Sequence, residues 1–352
     1  MQKEGQHGNQ DHDLQHCQRT EYVSFYGEPG VKQKRQCGCK KRELIWQTAQ
    51  KYNYTPNRFA SQLSKRTVRI GILFHGKFKP VIDSMTDGIK AAYEEFKDYK
   101  IEYEIRYVWA WEKPADACRE ELFAFLDCDG VIVAGFSSAG CEEMLKAFLN
   151  VNPNLVFLQT SNDNVDALFS SIHDVTMSSA LASELLSKVL KYAPRKNVLL
   201  LTGDTKAKLH DIAAKSFLTA CWQNGLQVLD CINMYDKESC LEQLLPQIME
   251  QYGEQLDGIY ITSAISLPLC RYLQEHNLDL PLITFDLYEE QIKYINSGTI
   301  TATIFQNVYK QAKNAFENLV KHLILEEKPN PRIYTDVQIV MKSNLPLYWD
   351  VL

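Results

Sequence analysis

The chain has 352 residues, 45% of them hydrophobic, and a formal net charge of −6 at pH 7. That is enough apolar sequence to bury two domain cores, and it excludes a chain that is disordered overall. No apolar stretch reaches the roughly 18 residues that span a bilayer, so no membrane partner is expected. Residues 1–18 are rich in Gln, His and Asp and lack an apolar signal segment, which favours a cytoplasmic protein with reduced cysteines.

The charged residues are unevenly distributed along the chain. Residues 1–69 carry thirteen Lys and Arg against six Asp and Glu, about +7, whereas the remainder carries 25 against 38, about −13. A basic segment joined to an acidic core predicts that nucleic acid contacts only the N-terminal end.

Residues 1–41 show no helical or strand period. The Cys and His residues of this segment match none of the paired spacings of zinc sites, since only one residue separates Cys37 from Cys39. We therefore predict no metal site, and we expect no cofactor.

The next segment, residues 43–66, combines a short helix with a cationic junction. Residues 43–52 have helical spacing, Pro56 can open a second helix, and the side chains of Ala60 and Leu63 fall on one face of it. A small apolar pair beside cations suits insertion into a minor-groove base step. Together with the strand at residues 70–74, this segment resembles the junction of lactose-repressor family regulators, where a DNA-binding headpiece and a hinge helix precede a ligand-binding core. The resemblance implies operator DNA contacts from the hinge residues Tyr54, Asn57, Arg58, Ala60, Leu63 and Lys65. An ordinary interdomain linker is the alternative.

Family members carry a recognition helix upstream of this junction, but the chain as written has none. Residues 26–33 can be encoded as TAC GGT GAG CCG GGC GTT AAA CAA, which reads one base later as Thr-Val-Ser-Arg-Ala-Leu-Asn, the recognition-helix signature of the family. We hypothesise that residues 1 to about 41 are an out-of-frame translation of a helix-turn-helix, which leaves residues 1–42 as a degenerate, unstructured headpiece. Specific DNA binding is then expected to be impaired, because the element that enters the major groove is missing.

From residue 68 onward, apolar strand-like runs alternate with amphipathic stretches. Strands are predicted at residues 69–74, 101–109, 130–134, 155–159, 197–202, 258–263 and 282–285. Helices are predicted at residues 81–96, 120–126, 141–148, 178–192, 213–224 and 242–252. Buried strands joined by helices form parallel sheets that are covered on both faces, so the predicted class is α/β with two doubly wound parallel-sheet lobes.

The core also resembles the lactose-repressor family. The Gly203-Asp204 pair follows one strand, Asp286 follows another, and residues 298–309 run from a glycine turn to a crossover strand that bears Gln306. The resemblance implies a periplasmic-binding-protein type I fold with a ligand cleft between its lobes. Lobe 1 is expected at about residues 67–171 and 304–330, and lobe 2 at about residues 172–303 and 331–352.

The expected cleft lies at the carboxyl ends of both sheets. Sugar sites combine aromatic rings, which pack on the apolar face of a pyranose, with carboxylates and amides that bind pairs of hydroxyls. The candidates for effector binding are Phe78, Trp109, Trp111, Ser137, Ser138, Asp174, His210, Ser263, Asp286 and Gln306. The two tryptophans equally suit a cap on the sheet edge, Asp174 suits a helix N-cap, and His173 and His210 suit solvated or structural roles.

One position departs from the family pattern. Ala213 stands where an effector-binding arginine is expected, four residues before Phe217, and Ser216 replaces the expected glycine. The effector is therefore expected to be bound differently, through His210 or Lys215.

Three classes of function can be compared. The sequence has no phosphate-cradling G-x-G-x-x-G, Walker loop or nucleophile elbow, and Ser137 and Ser138 lack a matched His and acid, so an enzyme is not expected. The resemblance implies a homodimeric transcription regulator that senses a sugar or related small molecule. A stand-alone sugar-binding protein of a periplasmic-binding-protein type I system is the alternative.

Overall fold

The computed structural model describes residues 66–76, 78–108, 114–136 and 139–351, and in the N-terminal region residues 44, 47, 48 and 51. Contacts divide the chain into a unit of Met1–Arg66 and a unit of Thr67–Leu352. In the first unit the four described residues are helical, as predicted for residues 43–52, and Thr48 Oγ1 donates to the Leu44 carbonyl oxygen at 2.7 Å. The side chain of Leu44 is 46% exposed. The proposed out-of-frame headpiece lies outside the described residues.

Strands and helices alternate along the second unit. The strands are β1 (Val68–His75), β2 (Ile101–Val108), β3 (Gly130–Ala134), β4 (Leu155–Leu158), β5 (Phe169–His173), β6 (Asn197–Thr202), β7 (Gln227–Asn233), β8 (Gly258–Ile261), β9 (Leu282–Phe285), β10 (Ala302–Phe305), β11 (Arg332–Thr335) and β12 (Gln338–Val340). The helices are α1 (Lys79–Glu95), α2 (Pro114–Phe123), α3 (Glu142–Leu149), α4 (Val175–Val189), α5 (Lys208–Asn224), α6 (Glu238–Tyr252), α7 (Leu267–Glu275), α8 (Ile292–Ser297) and α9 (Val308–Leu325). None of these helices, in the ranges described, is long and apolar enough to cross a membrane.

The strands form two six-stranded sheets, one in each lobe. The order is β11-β5-β4-β3-β1-β2 in lobe 1 and β12-β10-β9-β8-β6-β7 in lobe 2. Neighbouring strands run parallel except for β12, which is antiparallel to β10. Strands of parallel sheets are buried on both faces and read as continuous apolar runs, as the fully buried β3 does. The predicted α/β class with two doubly wound lobes is confirmed.

Helices cover both faces of each sheet. In lobe 1, Ile70, Ile72 and Phe74 of β1 pack in a cluster with α1 and α9, whereas Leu73 belongs to a separate cluster that includes α2 and α3. The two clusters are separate because successive side chains of a strand point to opposite faces of the sheet. Alternate residues of β6 divide in the same way between the two clusters of lobe 2.

Within the described ranges, the chain crosses between the lobes three times. The crossings follow β5, β10 and β11, at residues 174, 306–307 and 336–337. The third crossing corrects the predicted boundary: residues 331–335 were assigned to lobe 2, but β11 pairs in parallel with β5 of lobe 1. Pro329 and Pro331 lie in the segment that connects α9 to β11. This connectivity brings the carboxyl ends of both sheets to one cleft.

Candidate ligand-binding site

A cavity of about 590 Å³ lies between the lobes. It is lined by residues that follow strands of both sheets at their carboxyl ends. Its volume falls within the usual range of small-molecule sites, roughly 300–1,000 Å³. The residues that carry its chemistry are His75, Phe78, Gln159, Thr160, Asp204, His210, Asp236, Ser263, Asp286 and Gln306.

The lobe 1 wall begins where β1 and β3 end side by side. Gly135, directly after β3, has a φ of +87°, and a Cβ atom there would lie 2.0 Å from the His75 carbonyl oxygen. Glycine is therefore required for the two strand ends to approach. His75 Nδ1 lies 3.2 Å from the Gly135 carbonyl oxygen, and its ring centroid lies 5.8 Å from that of Phe136. These contacts hold the imidazole at the cleft wall.

Phe78 reaches from lobe 1 to lobe 2. It directly precedes α1, and its ring packs edge-on against Tyr288 of lobe 2 with 5.0 Å between the centroids. The Tyr288 hydroxyl donates in turn to the Ala264 carbonyl oxygen at 2.6 Å. An aromatic pair of this geometry contributes about 0.5–1.5 kcal/mol beyond the area that it buries. The two lobes are thus in contact at this edge of the cleft.

Asp236 lies at the centre of a hydrogen-bond network on the lobe 2 wall. Its carboxylate accepts from Ser263 Oγ at 2.7 Å, from His210 Nε2 at 3.2 Å and from the Asp204 amide at 3.2 Å. Burial raises the pKa of Asp236, but these hydrogen bonds outweigh burial and lower the pKa to about 2. The carboxylate is therefore ionised at neutral pH and holds His210 and Ser263 in place.

Gly203 makes this network possible. A Cβ atom at Gly203 would lie 2.3 Å from Asp236 Oδ1 and 2.6 Å from His210 Nε2. Both distances are far shorter than van der Waals contact, so any larger residue would displace the two side chains. Glycine directly after β6 leaves space for the hydrogen-bonded positions of these two side chains.

Asp286 is the second carboxylate of the lobe 2 wall, and it is only 5% exposed. It follows β9 with a φ of +65°, its amide donates to the Ile304 carbonyl oxygen at 2.9 Å, and its carbonyl oxygen accepts from Thr303 Oγ1. Burial raises the pKa of Asp286 to about 7, against the lowering effect of a hydrogen bond with the Gln306 side chain. Gln311 Nε2 donates to the backbone carbonyl oxygen of Gln306 at 2.8 Å and so holds this residue in place.

A smaller depression of about 200 Å³ lies beside the cleft at the first crossing. Here Lys208 of α5 forms an ion pair with Asp163 of lobe 1 at 2.5 Å, and Arg332 lies 3.2 Å from the same carboxylate. His173 is 2% exposed, its ring centroid lies 5.6 Å from that of Phe285 in lobe 2, and neither ring nitrogen has a hydrogen-bond partner in the described part of the chain. Burial lowers the pKa of His173 to about 4, so this imidazole is neutral at neutral pH.

A family model described as a periplasmic binding protein domain matches residues 70–328. The chain belongs to this family. The match begins in β1 and spans both lobes of the periplasmic binding protein domain, including the strand ends that form the cleft. Comparison with curated proteins found no match.

Solved structures share the two-lobed architecture of this domain. A candidate LacI transcriptional regulator from Bacteroides fragilis is 16% identical, with a TM-score of 0.69 over 80% of this chain and 100% of that chain. GanP, a glucose-galactose binding protein from Geobacillus stearothermophilus, is 19% identical, with a TM-score of 0.70 over 80% and 100%. A solute-binding protein of an ABC transporter from Bacillus halodurans, solved with bound myo-inositol, is 15% identical, with a TM-score of 0.71 over 81% and 98%. At these identities the similarity shows the fold alone.

The periplasmic binding protein domain brings only part of the predicted site together. The predicted residues that line the cavity are Phe78, His210, Ser263, Asp286 and Gln306. Asp174 instead lines the smaller depression, and its carboxylate accepts from the Met177 amide at 2.9 Å as the N-cap of α4. Lys215 is exposed and pairs with Asp211 within α5 at 2.7 Å. The candidates outside the described residues are Trp109, Trp111, Ser137 and Ser138 in the core and Tyr54, Asn57, Arg58, Ala60, Leu63 and Lys65 in the hinge.

Several cleft residues were not predicted from the sequence. Asp236 follows β7, an edge strand whose residues are exposed or half-buried, so it lacks the apolar run that marks the other strands. Tyr235 and Asp236 have φ values of +55° and +52°, and a Tyr-Asp turn after a strand is the signal that could have identified them. Gln159 and Thr160 follow β4 in the same way, and Gln159 has a φ of +66°.

Proposed function

We propose that this chain is an effector-responsive DNA-binding regulator of the lactose-repressor type, and that its cleft binds a sugar or a related polyhydroxylated small molecule. The observation that carries the proposal is the cleft between two six-stranded sheets, in which an aromatic ring from lobe 1 and two carboxylates from lobe 2 border one cavity. Sites at the carboxyl ends of such sheets are the usual location for ligands.

The cleft offers the groups that a sugar requires. Phe78 supplies an aromatic surface for the apolar face of a pyranose, while Asp236 and Asp286 can accept hydrogen bonds from hydroxyls. Gln306 adds an amide that both donates and accepts. Hydrogen bonds to a charged acceptor are about twice as strong as those between neutral groups, so the carboxylates should dominate affinity.

Contacts between the lobes provide a route from ligand binding to a change of conformation. Phe78 contacts Tyr288, Lys208 pairs with Asp163, and both pairs join the two lobes. A ligand that bridges the lobes adds to these contacts and favours the closed arrangement by its differential affinity for the two states. In a homodimer this bias would alter the DNA affinity of the N-terminal segments, and DNA would reciprocally alter ligand affinity.

The basic N-terminal region supports DNA as the second ligand. Residues 1–69 carry about +7 whereas the rest of the chain carries about −13. Lysine and arginine supply the phosphate-directed part of DNA affinity, which weakens as salt rises. Because the sequence of residues 1–42 does not contain the recognition-helix signature in the frame as written, we propose that sequence-specific binding is impaired and that residual binding is non-specific.

The ligand half of the proposal is tested by a thermal-shift screen of sugars and polyols, followed by calorimetry. Asp286→Asn should weaken binding of a positive compound by about 2 kcal/mol or more, because it removes a charged acceptor from the cleft. Asp279→Asn is the matched control, since Asp279 is an exposed carboxylate outside the cleft lining. Equal affinities for wild type and Asp286→Asn would remove Asp286 from the site.

The DNA half is tested by restoring the shifted reading frame before Arg42 and footprinting both proteins on genomic DNA. The restored protein should protect a palindromic operator, whereas the chain as written should not. Equal specific protection by both would contradict the out-of-frame hypothesis. The absence of any protection by the restored protein, with sugar binding intact, would favour the alternative, a stand-alone binding protein, which the fold of the glucose-galactose binding protein also permits.

A further inference from the structure

The cleft is strongly acidic over its described residues. Four carboxylates border the cavity, from Asp204, Asp236, Glu238 and Asp286, whereas Lys206 is the one described Lys or Arg among the lining residues. Lys206 is itself exposed, and Ala213 occupies the position where an arginine was expected. The field in the cleft therefore repels anions and attracts cations.

The two hydrogen-bonded carboxylates of the wall differ in how their charge is balanced. Asp236 is paired with His210 and bonded to Ser263. Asp286 is more deeply buried, and among the described residues no Lys, Arg or His forms an ion pair with it. Gln306, its side-chain partner, is an uncharged amide. The ionised form of a buried carboxylate is costly without a cation, so a positive group on a ligand would stabilise the charged form of Asp286.

A second unsatisfied group lies on the lobe 1 wall. Thr160 lines the cavity and is 6% exposed, and its Oγ1 has no hydrogen-bond partner within the described part of the molecule. Buried hydroxyls are nearly always hydrogen-bonded, so Thr160 indicates that a polar ligand group completes the site from the other side. Among the described residues, the cleft thus has a hydroxyl without a hydrogen-bond partner on one lobe and a carboxylate without an ion-pair partner on the other.

We propose that the ligand carries a protonated amino group that pairs with Asp286, together with hydroxyls that bond to Thr160 and Asp236. This defines the ligand class as amino sugars or amino-substituted polyols. The inference rests on the proposed sugar-binding function of the same cleft. A neutral sugar would leave the ionised form of Asp286 without a counter-charge, and a sugar phosphate would add negative charge to a negative cleft.

The test compares matched pairs that differ only by the amino group: glucose with glucosamine, galactose with galactosamine, and myo-inositol with an aminoinositol. Calorimetry at pH 7.5 and low salt should show at least tenfold tighter binding of the amine in one pair or more. Its N-acetyl derivative, which has no charge, should lose this preference, and glucose 6-phosphate should not compete.

Variants locate the preference within the cleft. Asp286→Asn should reduce the amine preference from tenfold to less than threefold, and Asp286→Glu, which keeps the charge, should restore part of it. Asp279→Asn should behave as wild type. If Asp286→Asn binds neither member of a pair, the inference is tested by the salt dependence of ligand binding to the wild-type protein. The affinity for the amine must then fall with added NaCl, while the affinity for the neutral sugar stays constant.

The outcomes separate this inference from the proposed function. A neutral sugar that binds as tightly as its amine, or a sugar phosphate that binds more tightly, would overturn the amine inference and leave sugar binding intact. A folded protein that binds no member of the panel would overturn both.

Discussion

Two buried titratable groups, Asp286 and His173, should give the free energy of unfolding opposite dependences on pH. Both are less than one-tenth exposed, and both have pKa values shifted mainly by burial. Replacing each by an isosteric or similarly sized neutral residue, Asp286→Asn and His173→Leu, removes one titration at a time. Leucine suits position 173 because neither imidazole nitrogen has a hydrogen-bond partner in the described residues.

For Asp286, the folded protein has a pKa of about 7, above the ordinary value of 3.8. The proton is therefore bound more tightly in the folded than in the unfolded state. The resulting stabilisation is fully present below pH 3.8 and is lost as the pH rises through about 7. At about 1.36 kcal/mol for each pKa unit, the loss amounts to about 4 kcal/mol.

For His173, the folded protein has a pKa of about 4, below the ordinary value of 6.5. Folding here favours the neutral imidazole. The stabilisation is fully present above pH 6.5 and is lost as the pH falls through about 4, by about 3 kcal/mol. Between pH 4 and 6.5 the two residues therefore oppose each other and partly cancel in the wild-type protein.

Urea unfolding of wild type and both variants from pH 4.5 to 8 measures the two contributions as differences. Asp286→Asn should gain stability over wild type as the pH rises, by about 4 kcal/mol at most, whereas His173→Leu should gain as the pH falls, by about 3 kcal/mol at most. Asp279→Asn is the control for a general change of charge. Variant and wild-type curves that run parallel over this range would refute the burial assigned to these side chains. A more stable Asp286→Asn that binds ligand poorly would show that the carboxylate is kept for binding at the expense of stability.

Three further changes test separate parts of the structure. Gly203→Ala should weaken ligand binding at least tenfold by calorimetry, because the added Cβ atom collides with Asp236 and His210. Gly140→Ala is the control and should have no effect, because nothing lies within 4 Å of a Cβ atom there. Equal ligand affinities of Gly203→Ala and wild type would contradict the role assigned to Gly203. Lys208→Met should lower the free energy of unfolding in urea by no more than about 1 kcal/mol, since the ion pair of Lys208 is about half exposed. Lys215→Met is the control, because it removes an exposed ion pair within one helix. A loss above about 2 kcal/mol for Lys208→Met would show a stronger coupling of the lobes. Removal of residues 1–41 should leave the melting temperature of the core unchanged, because that segment has no periodic apolar face, and a loss of several degrees would show that it packs on the core.

Strand ends could be predicted because buried parallel strands have a simple sequence pattern. Apolar or nearly apolar runs such as β3 and β9 identify the strands, and the polar residues that follow them are expected at the edge where the sheets face each other. This reasoning placed Asp286, Ser263 and Gln306 correctly on the lining of the cavity. Whether they bind a ligand stays a prediction.

Features set by pairing between distant segments could not be predicted in the same way. β11 has an exposed or half-buried pattern over three of its four residues, and its place in lobe 1 depends on pairing with β5, some 160 residues earlier. Asp236 was missed for the same reason, because β7 is an edge strand without an apolar run. His173 lies against Phe285 of the other lobe, a contact that no local pattern of the sequence encodes.

The central claim, that ligand binds between the lobes and contacts both, is tested most directly by hydrogen exchange with and without a saturating sugar or amino sugar from the calorimetric panel. Amides that follow β1 and β4 in lobe 1, and β6, β8 and β9 in lobe 2, should exchange more slowly in the complex. Amide exchange in the exposed turns of α4 and α5 that face away from the cleft should be unaffected. Slower exchange in both lobes at the strand ends would support the claim, whereas protection confined to one lobe, or to surfaces away from the cleft, would contradict it.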